Sequence, residues 1–505
     1  MNKYSNSSLS NISKKNTLTS RIKFIKQITS NNSKNTNYSV PLEPLVDFDQ
    51  LDTEYYTNYN NGSASSEGSF DTKTLLKKRT LNFNHVIQQM TENTGKLDYI
   101  KSGTTGHTFK VCATDKDGSY NFGIKVVAYP KRKRYGTIYD SRRPENAELL
   151  AIKLLAYFIT KKKTPHITLP IATFNTDIKK FIGLIDKQIV EPDNEKYIEF
   201  EKDYYDGKFH DEVSILISEW ANKGDLSDYI NKNCRNMKEL DWKVIFFQLI
   251  SVLAQIQLKY PSFRHNDLKA NNILVHEIEG KGKIQSYPVN KKKYKVPNVG
   301  IRIKLWDFDF ACVPGIVDNI KVNATSEFSK SINVTPVENK YYDMHFFFNT
   351  LIRFHKNFMK QDYIPQSVKD FILRVVPLKY QKDNPKIVTE KGRILINEEY
   401  TTPLKILEND PFFEEFRVKQ ISTIKEPINK TKIFNKPNIT PPKYENINNL
   451  STDVDKYIEL LNKKTDDKKY VVIENKPNNK VKIDVAKFLS GKNIRKKRTV
   501  SDEYN

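Results

Sequence analysis

The sequence is poor in cysteine and in uninterrupted apolar runs. Its three cysteines, Cys112, Cys234 and Cys312, are too few and too scattered for a disulfide framework or a zinc cluster, and they fit a reducing compartment. The strongest apolar helical pattern, residues 242–258, is interrupted by lysine and glutamine, which excludes a membrane span and indicates a core helix. Because no apolar signal region opens the chain, we expect that the protein is not secreted.

Positive charge predominates over the whole sequence. It contains 83 Lys and Arg against 60 Asp and Glu, which gives a formal net charge of +23 at pH 7. Such an excess favours contact with anionic surfaces such as nucleic acid, acidic lipid or acidic protein. A coding sequence biased towards lysine and asparagine codons would produce the same excess, so the composition is compatible with both explanations.

The two ends of the chain have the composition of segments that do not build a core. Residues 1–78 are rich in Ser and Asn, and seven Lys or Arg precede the first acidic residue, Glu43, which predicts a disordered basic arm. Residues 421–505 predict a mostly loose Lys- and Asn-rich tail, with a weak helix at 454–461 and a strand at 470–473. We expect both arms to be dispensable for catalysis.

The central region carries the patterns of ordered structure. Residues 79–218 contain several strand patterns and one helix pattern, at 145–159, which predicts a small strand-rich lobe. Residues 219–420 contain the strongest helical patterns and predict a larger helical lobe. Within this second part, the polar and lysine-rich residues 276–299 predict a surface insertion. The expected fold class is therefore α+β.

The most informative stretch is residues 265–275, HNDLKANNILV. This pattern is typical of a phosphoryl-transfer loop, in which Asp267 would orient the attacking hydroxyl and accept its proton. Lys269 would neutralise charge on the transferred phosphate, and Asn272, five residues after Asp267, would hold a metal ion. An isolated Asp in a His-x-Asp tripeptide is usually only a polar loop residue, so the interpretation needs a second motif.

A second motif lies thirty-two residues after Asn272, at residues 304–311, KLWDFDFA. Asp307 in this motif is the predicted second metal ligand. The two motifs occur in the expected order and each adjoins an apolar strand pattern. Together they indicate an enzyme that uses ATP with Mg²⁺ or Mn²⁺.

Candidate nucleotide-binding residues precede these motifs. Gly103 and Gly106 lie in a turn between two strand patterns, where backbone N–H groups can approach phosphates, although most such glycine pairs are plain hairpins. Lys125 lies inside an apolar strand pattern and is placed to contact the α- and β-phosphates, unless it is an ordinary edge lysine. Its expected partner is Glu148 on the next helix, with Glu145 as the alternative; otherwise Glu148 is a solvated helix residue.

Over residues 95–415 the chain resembles the eukaryotic-like protein kinases, and within them the poxvirus-type virion serine/threonine kinases of large cytoplasmic DNA viruses. The most specific residues are 306–310 (WDFDF), 313–316 (VPGI) and 341–347 (YYDMHFF). The resemblance implies a bilobal fold and phosphorylation of Ser and Thr in proteins, including virion structural proteins. It also implies a location in virions or in the host cytoplasm, at sites of assembly.

The resemblance also suggests roles for individual residues. Backbone groups of Glu219 and Ala221 would bond the adenine base. Asp343 would bond the backbone of the catalytic loop, or else simply stabilise the start of its own helix. Asn266 replaces the Arg that in many kinases binds an activation-loop phosphate, and Asp309 replaces the glycine of Asp-Phe-Gly. We therefore expect constitutive activity.

Two other functions stay open at this point. A choline- or aminoglycoside-kinase-like small-molecule phosphotransferase also uses His-x-Asp with Asn five residues later, and an acidic residue in the place of Asp309. Lys269 and the short segment that leads to Gly224 favour a protein kinase. A non-catalytic kinase-like scaffold is the third function, but the residues that a catalyst needs are all present: Lys125, Asp267, Asn272 and Asp307.

Overall fold

The structure is a computed structural model. It describes residues 18–30, 42–46, 78–91, 95–103, 106–115, 118–322, 327–354, 358–381, 385–418, 470–474 and 480–484. The ranges up to residue 418 belong to one unit of the chain, and the last two belong to another.

An antiparallel five-stranded sheet dominates the first part of the larger unit, with the strand order β1-β2-β3-β5-β4. Its strands are β1 (Lys96–Ser102), β2 (His107–Asp115), β3 (Gly118–Pro130), β4 (Pro170–Asp177) and β5 (Phe209–Glu219). Apolar residues alternate along β3, where Phe122, Ile124 and Val126 are fully buried. The strands expected from the sequence are therefore present, and the sheet-rich region and the helical region together make a mixed α and β fold.

Ten α-helices occur in the described residues of the larger unit, and most of them follow the sheet in the sequence. They are α1 (Leu18–Ser30), α2 (Phe83–Thr91), α3 (Pro144–Thr160), α4 (Glu195–Tyr205), α5 (Leu226–Asn233), α6 (Glu239–Lys259), α7 (Glu327–Ser331), α8 (Tyr342–Phe354), α9 (Gln366–Val375) and α10 (Pro403–Asn409). Helix α6 is almost entirely buried, as its apolar sequence predicts. At its start, the Asp241 carboxylate accepts a hydrogen bond from the Lys238 N–H group at 2.8 Å, which satisfies one free donor. Helices α6, α8 and α9 pack together through Phe246, Phe348 and Phe371.

The N-terminal region contains ordered structure that the sequence did not predict. Helix α1 buries Ile25 and Ile28, and the Leu45 N–H group donates to the Ile171 carbonyl in β4 at 2.8 Å. The expectation of a disordered arm over residues 1–78 is therefore wrong for these segments. Leu18, Ile22, Ile25 and Ile28 have helical spacing, but this short pattern lies in a segment rich in Ser, Asn and Lys, so composition alone did not reveal the helix.

The lysine-rich segment 276–299 is also more than a surface insertion. It forms the hairpin of β7 (Ile284–Val289) and β8 (Lys292–Pro297), between the paired strands β6 (Ile273–Glu277) and β9 (Ile301–Leu305). One face of the hairpin is apolar and buried: Tyr287, Val289, Tyr294 and Val296. In β8, lysines alternate with Tyr294 and Val296, so the stretch looked polar although one face of the hairpin belongs to the core.

In the second unit, β10 (Tyr470–Glu474) pairs antiparallel with β11 (Lys480–Asp484), at the position of the predicted strand. The weak helix predicted at 454–461 lies outside the described residues. Nowhere in the described ranges does a helix combine the length and the apolar character that crossing a membrane requires.

Candidate active site

The loop that carries Asp267 is fixed from beneath by a buried carboxylate. Asp343 on α8 is 1% exposed, and its two oxygens accept hydrogen bonds from the backbone N–H groups of His265 at 2.7 Å and Asn266 at 2.9 Å. Burial raises the pKa of Asp343 against the attraction of His265. Of the two hypotheses for Asp343, the structure therefore supports the one in which its carboxylate bonds the backbone of the catalytic loop. Asn266 adopts a left-handed conformation, with φ at 62°, which turns the chain towards Asp267.

Three residues predicted from the loop motif lie in direct contact. Lys269 Nζ donates to Asp267 Oδ2 at 2.9 Å, and Asn272 Nδ2 donates to the same oxygen at 3.0 Å. Asn272 Nδ2 also bonds the carbonyl oxygen of Asp267 at 2.8 Å. These bonds restrict the orientation of the Asp267 carboxylate. Lys269 and Asn272 both hold Oδ2, and Asn272 also holds the backbone carbonyl of Asp267.

The second cluster joins the sheet, α3 and the Asp307 motif. Lys125 Nζ lies 2.6 Å from Glu148 Oε1 and 2.8 Å from Asp307 Oδ1. The pairing of Lys125 with Glu148 that the sequence predicted is present, whereas the alternative partner Glu145 bonds Arg143 at 3.0 Å. Lys125 is 6% exposed, and the two carboxylates compensate its charge in this buried position.

Burial and neighbouring charge act in opposite directions in this cluster. Burial alone would lower the pKa of Lys125, but the carboxylates of Asp307 and Glu148 outweigh it and raise that pKa. Burial would raise the pKa of Asp307, but Lys125 outweighs it and lowers that pKa. Burial dominates at Glu148 and raises its pKa. The cluster thus holds a positive charge and an anionic oxygen beside the loop of Asp267.

Asp307 has an unusual backbone for a residue with a side chain, with φ at 61°. Such a conformation costs free energy and is tolerated where the surroundings impose it, as at functional sites. Two residues on, Asp309 is buried and lies 2.5 Å from Lys321 Nζ, so its charge is compensated. The Asp307 side chain is about one-third exposed, which leaves it accessible to a ligand.

The donor set fits a divalent metal ion of the Mg²⁺ type. The Asn272 side-chain NH₂ group donates both of its hydrogen bonds to Asp267, so the amide oxygen is left as an acceptor for a metal ion. Asp307 supplies a carboxylate. In the described part of the chain there is no cluster of three or more His, Cys, Asp or Glu that could hold an ion alone. An ion at Asn272 and Asp307 would need further oxygens, such as those of water and nucleotide phosphates.

The predicted glycine turn is partly described. Gly103 N–H donates to the Gly106 carbonyl at 2.7 Å, and residues 104–105 between them lie outside the described ranges. A Cβ atom at Gly106 would lie 2.5 Å from the Val126 carbonyl oxygen on β3. Close packing on β3 therefore explains glycine at 106, and contact of either glycine with phosphates stays a prediction.

Glu219 ends β5, at the segment predicted to face the adenine base. Its N–H group already donates to the Leu169 carbonyl at 3.0 Å, so its carbonyl is the backbone group left for a base. Its side chain accepts from Lys304 at 2.7 Å and from Arg21 Nε at 2.8 Å. Burial would raise the pKa of Glu219, but Arg21 and Lys304 outweigh it and lower that pKa to about 2. Ala221 is buried two residues further, and its contact with a base stays a prediction.

Two arginines contact these sites although no sequence motif predicts that they do. Arg21 belongs to the supposedly disordered arm, and Arg393 lies far beyond the motifs. Arg393 donates hydrogen bonds to Asp267 Oδ1 and to the Asn266 carbonyl, and to the Tyr342 hydroxyl at 3.1 Å. No local motif surrounds either arginine, so neither contact could be read from the sequence.

Comparisons with known proteins point to one family. The family model described as poxvirus serine/threonine protein kinase matches residues 123–436. The chain is 45% identical, over 398 residues, to a protein of Acanthamoeba polyphaga mimivirus that is named as a serine/threonine-protein kinase. The match covers 77% of this chain and 79% of that protein. Serine/threonine-protein kinase 2 of swinepox virus is 32% identical over 27% of this chain and 30% of its own length. The vaccinia virus protein of that name is 31% identical over 26% and 29%, respectively.

Proposed function

The chain belongs to the poxvirus serine/threonine protein kinase family, and we propose that Asp267, Lys269, Asn272, Asp307 and Lys125 form the centre at which it uses ATP to phosphorylate proteins. That it is a serine/threonine protein kinase follows from the family. The observation that supports this particular centre is the meeting of Lys269 and Asn272 at one oxygen of Asp267.

Asp267 is the residue proposed to act on the substrate hydroxyl. A carboxylate held by fixed donors can accept a hydrogen bond from an incoming Ser or Thr hydroxyl, orient it towards the γ-phosphorus and take its proton. Lys269 lies 2.9 Å from this carboxylate, so its ammonium group is placed to neutralise charge on the phosphoryl group in transfer.

Lys125 is proposed to bind the α- and β-phosphates of ATP. Its two carboxylate partners keep the ammonium group charged and confine it. A phosphate oxygen can take the place of Asp307 at Lys125, because Asp307 is the more exposed of the two carboxylates. Glu148 then positions Lys125, while Asp307 becomes available as a metal ligand.

Asn272 and Asp307 would hold Mg²⁺ or Mn²⁺. When bound, the ion neutralises negative charge on the phosphates and orients them. The base of the nucleotide is proposed to bond the backbone of Glu219 and Ala221, and the turn of Gly103 and Gly106 to lie over the phosphates.

The architecture proposed for this centre has two lobes. The five-stranded sheet with α3 would form the smaller lobe, and the part from α5 to α10 the larger. Lys125 belongs to the first and Asp267 to the second, and the contact of Lys125 with Asp307 links them.

The substrates are proposed to be proteins of virus particles. This rests on the resemblance of the chain to virion kinases and on the viral origin of its relatives. A location in virions or at sites of assembly in the host cytoplasm goes with that proposal, and the basic ends would add contact with anionic surfaces.

Phosphorylation of purified substrates tests the type of reaction. The protein is incubated with radiolabelled ATP and Mg²⁺ in the presence of casein, a basic protein or choline, and the phosphorylated amino acids are identified. Label on Ser and Thr and none on choline is the expected result. Label on choline alone would support the small-molecule alternative, and no label on any substrate would support a scaffold; neither alternative is favoured by the family.

A further inference from the structure

We propose that Arg393 is a positioning residue for phosphoryl transfer that holds the Asp267 carboxylate through Oδ1, whereas Lys269 and Asn272 hold it through Oδ2. This inference rests on the proposed role of Asp267. Arg393 touches no reacting atom in this account and acts through Asp267 alone.

The contacts of Arg393 connect it to both the backbone and the side chain of the loop. One terminal nitrogen of the guanidinium donates to the Asn266 carbonyl, and the other donates to Asp267 Oδ1. A planar group that bonds two consecutive residues in this way restrains the Asp267 side chain relative to its own backbone. Lysine, with a single ammonium, could not reproduce this geometry.

The guanidinium is held on its other sides as well. The Tyr342 hydroxyl accepts a hydrogen bond at 3.1 Å, and the centre of the Phe346 ring lies 4.2 Å from the guanidinium carbon. Both residues belong to α8, the helix that also supplies Asp343. Arg393 is 9% exposed, so displacing it would leave an unpaired charge in the interior. These contacts indicate that the Arg393 side chain keeps a fixed position beside Asp267.

The segment around Arg393 has the form of a support. Thr389 N–H donates to the Arg393 carbonyl at 2.8 Å, and Leu395 N–H donates to the Ile387 carbonyl at 2.7 Å, which closes a tight turn. Gly392 in this turn has φ at 90°, a conformation that few other residues adopt. Ile394, next to Arg393, is fully buried.

Asp267 keeps one acceptor position for a substrate hydroxyl although three side chains donate to it. An ionised carboxylate offers about four acceptor positions, two on each oxygen. Lys269 and Asn272 use both positions on Oδ2, and Arg393 uses one on Oδ1. The position left on Oδ1 can take the substrate hydroxyl. Arg393 therefore determines where the one remaining acceptor position points.

Steady-state kinetics of Arg393 variants test this role. Arg393→Met keeps the aliphatic volume and removes the guanidinium, and we expect kcat to fall about 10- to 100-fold because a misplaced catalytic group costs rate. The KM for ATP and the affinity for a non-hydrolysable ATP analogue should stay within about twofold, since no nucleotide contact is lost. Arg393→Lys keeps the charge and should lose less of kcat than Arg393→Met.

Arg374→Met is the matched control. It removes a guanidinium that donates two hydrogen bonds to the Asp410 carboxylate, at 2.9 and 2.8 Å, outside the proposed centre. Its kcat should stay near that of the wild type even if its melting temperature falls. Folding of every variant is checked by circular dichroism and thermal melting.

A double-mutant comparison separates positioning from general loosening. In the Asp267→Asn background, Arg393→Met should change the residual rate less than about twofold, because an amide cannot take the hydroxyl proton in any orientation. An equal loss in both backgrounds, or a wild-type kcat for Arg393→Met, would overturn the positioning role. If Arg393→Met does not fold, Arg393→Lys decides, and an unchanged kcat for it overturns the role. A fully active Asp267→Asn would overturn the proposed function itself, and this inference with it.

Discussion

Arg21 on α1 donates two hydrogen bonds to the carboxylate of Glu219 at the end of β5, 198 residues further along the chain. Glu219 also pairs with the buried Lys304, whose pKa burial lowers to about 7. The three charges meet directly before the segment that is proposed to face the base. The N-terminal helix is therefore part of the structure that supports this segment, although its composition suggested a dispensable arm.

Truncation at two positions tests the contribution of α1. A chain that begins at residue 18 keeps every described contact and should retain the kinetic constants and melting temperature of the full chain. A chain that begins at residue 79 loses Arg21, the buried Ile25 and Ile28, and Lys78, and it should melt at a clearly lower temperature and bind ATP more weakly. Arg21→Met in the full chain isolates the ion pair and should cost about 1–3 kcal/mol of stability. Equal stability and turnover for both truncated chains would restore the view of a dispensable arm.

Substitution of Lys125 tests the nucleotide-binding cluster. Lys125→Met should lower kcat/KM by about 100-fold or more, because it removes a charge that is proposed to bind phosphates. Glu148→Gln should lower kcat/KM less, since Lys125 keeps Asp307 as a partner at 2.8 Å. Both are measured by steady-state kinetics, with Glu145→Gln as the control on the same helix. A Lys125→Met enzyme with normal kinetics would contradict the assignment.

Removal of a predicted metal ligand should uncouple nucleotide binding from the metal. For Asp307→Ala we expect the affinity for an ATP analogue to become independent of added Mg²⁺ or Mn²⁺, because the carboxylate that would hold the ion is gone. Calorimetric titration with and without the metal measures this directly. Asp309→Ala is the control, since Asp309 is paired with Lys321 instead. If Asp307→Ala retained full metal dependence, the ion would have to bind elsewhere.

Lys78 predicts a specific dependence of stability on pH. Burial lowers its pKa to about 7, and its Nζ is surrounded by the side chains of Tyr129, Asn146 and Ser214. An unfolded lysine has a pKa of about 10.4, so above pH ~7 the unfolded chain binds a proton that the folded chain does not. Folding stability contributed by this group therefore rises between pH ~7 and ~10, by at most about 1.4 kcal/mol per pH unit.

The comparison with Lys78→Met isolates this effect. Other titrating groups cancel in the difference between the wild type and the variant, so the difference in unfolding free energy should grow in favour of the wild type from pH 7 to 9. Thermal or denaturant unfolding at three pH values gives the measurement. A difference that is constant over this range would mean that Lys78 titrates normally.

Local patterns in the sequence were sufficient to predict the strand and the helix that carry Lys125 and Glu148. The alternation in β3 and the helical spacing in α3 predicted both elements, and the burial of one face of each predicted that Lys125 and Glu148 would meet. The buried face of the β7–β8 hairpin was hidden because lysines alternate with Tyr294 and Val296 in β8, and Ser286 and Pro288 flank Tyr287 in β7.

Contacts between distant segments could not be predicted in this way. Arg393 lies 126 residues from Asp267, and Arg21 lies 198 residues from Glu219. Each arginine is a single charged residue in a charged sequence, and neither belongs to a periodic pattern. Only the tertiary fold determines which of the many arginines and lysines reaches a buried carboxylate.

The turnover of Asp267→Asn decides whether Asp267 is the residue that acts on the substrate hydroxyl. The amide keeps the size of the side chain but cannot accept the hydroxyl proton, so kcat should fall by about 10²- to 10⁴-fold. The melting temperature and the affinity for an ATP analogue should stay close to those of the wild type, which separates a chemical defect from a folding defect. A folded Asp267→Asn enzyme that phosphorylates Ser and Thr at nearly the wild-type rate would contradict the account.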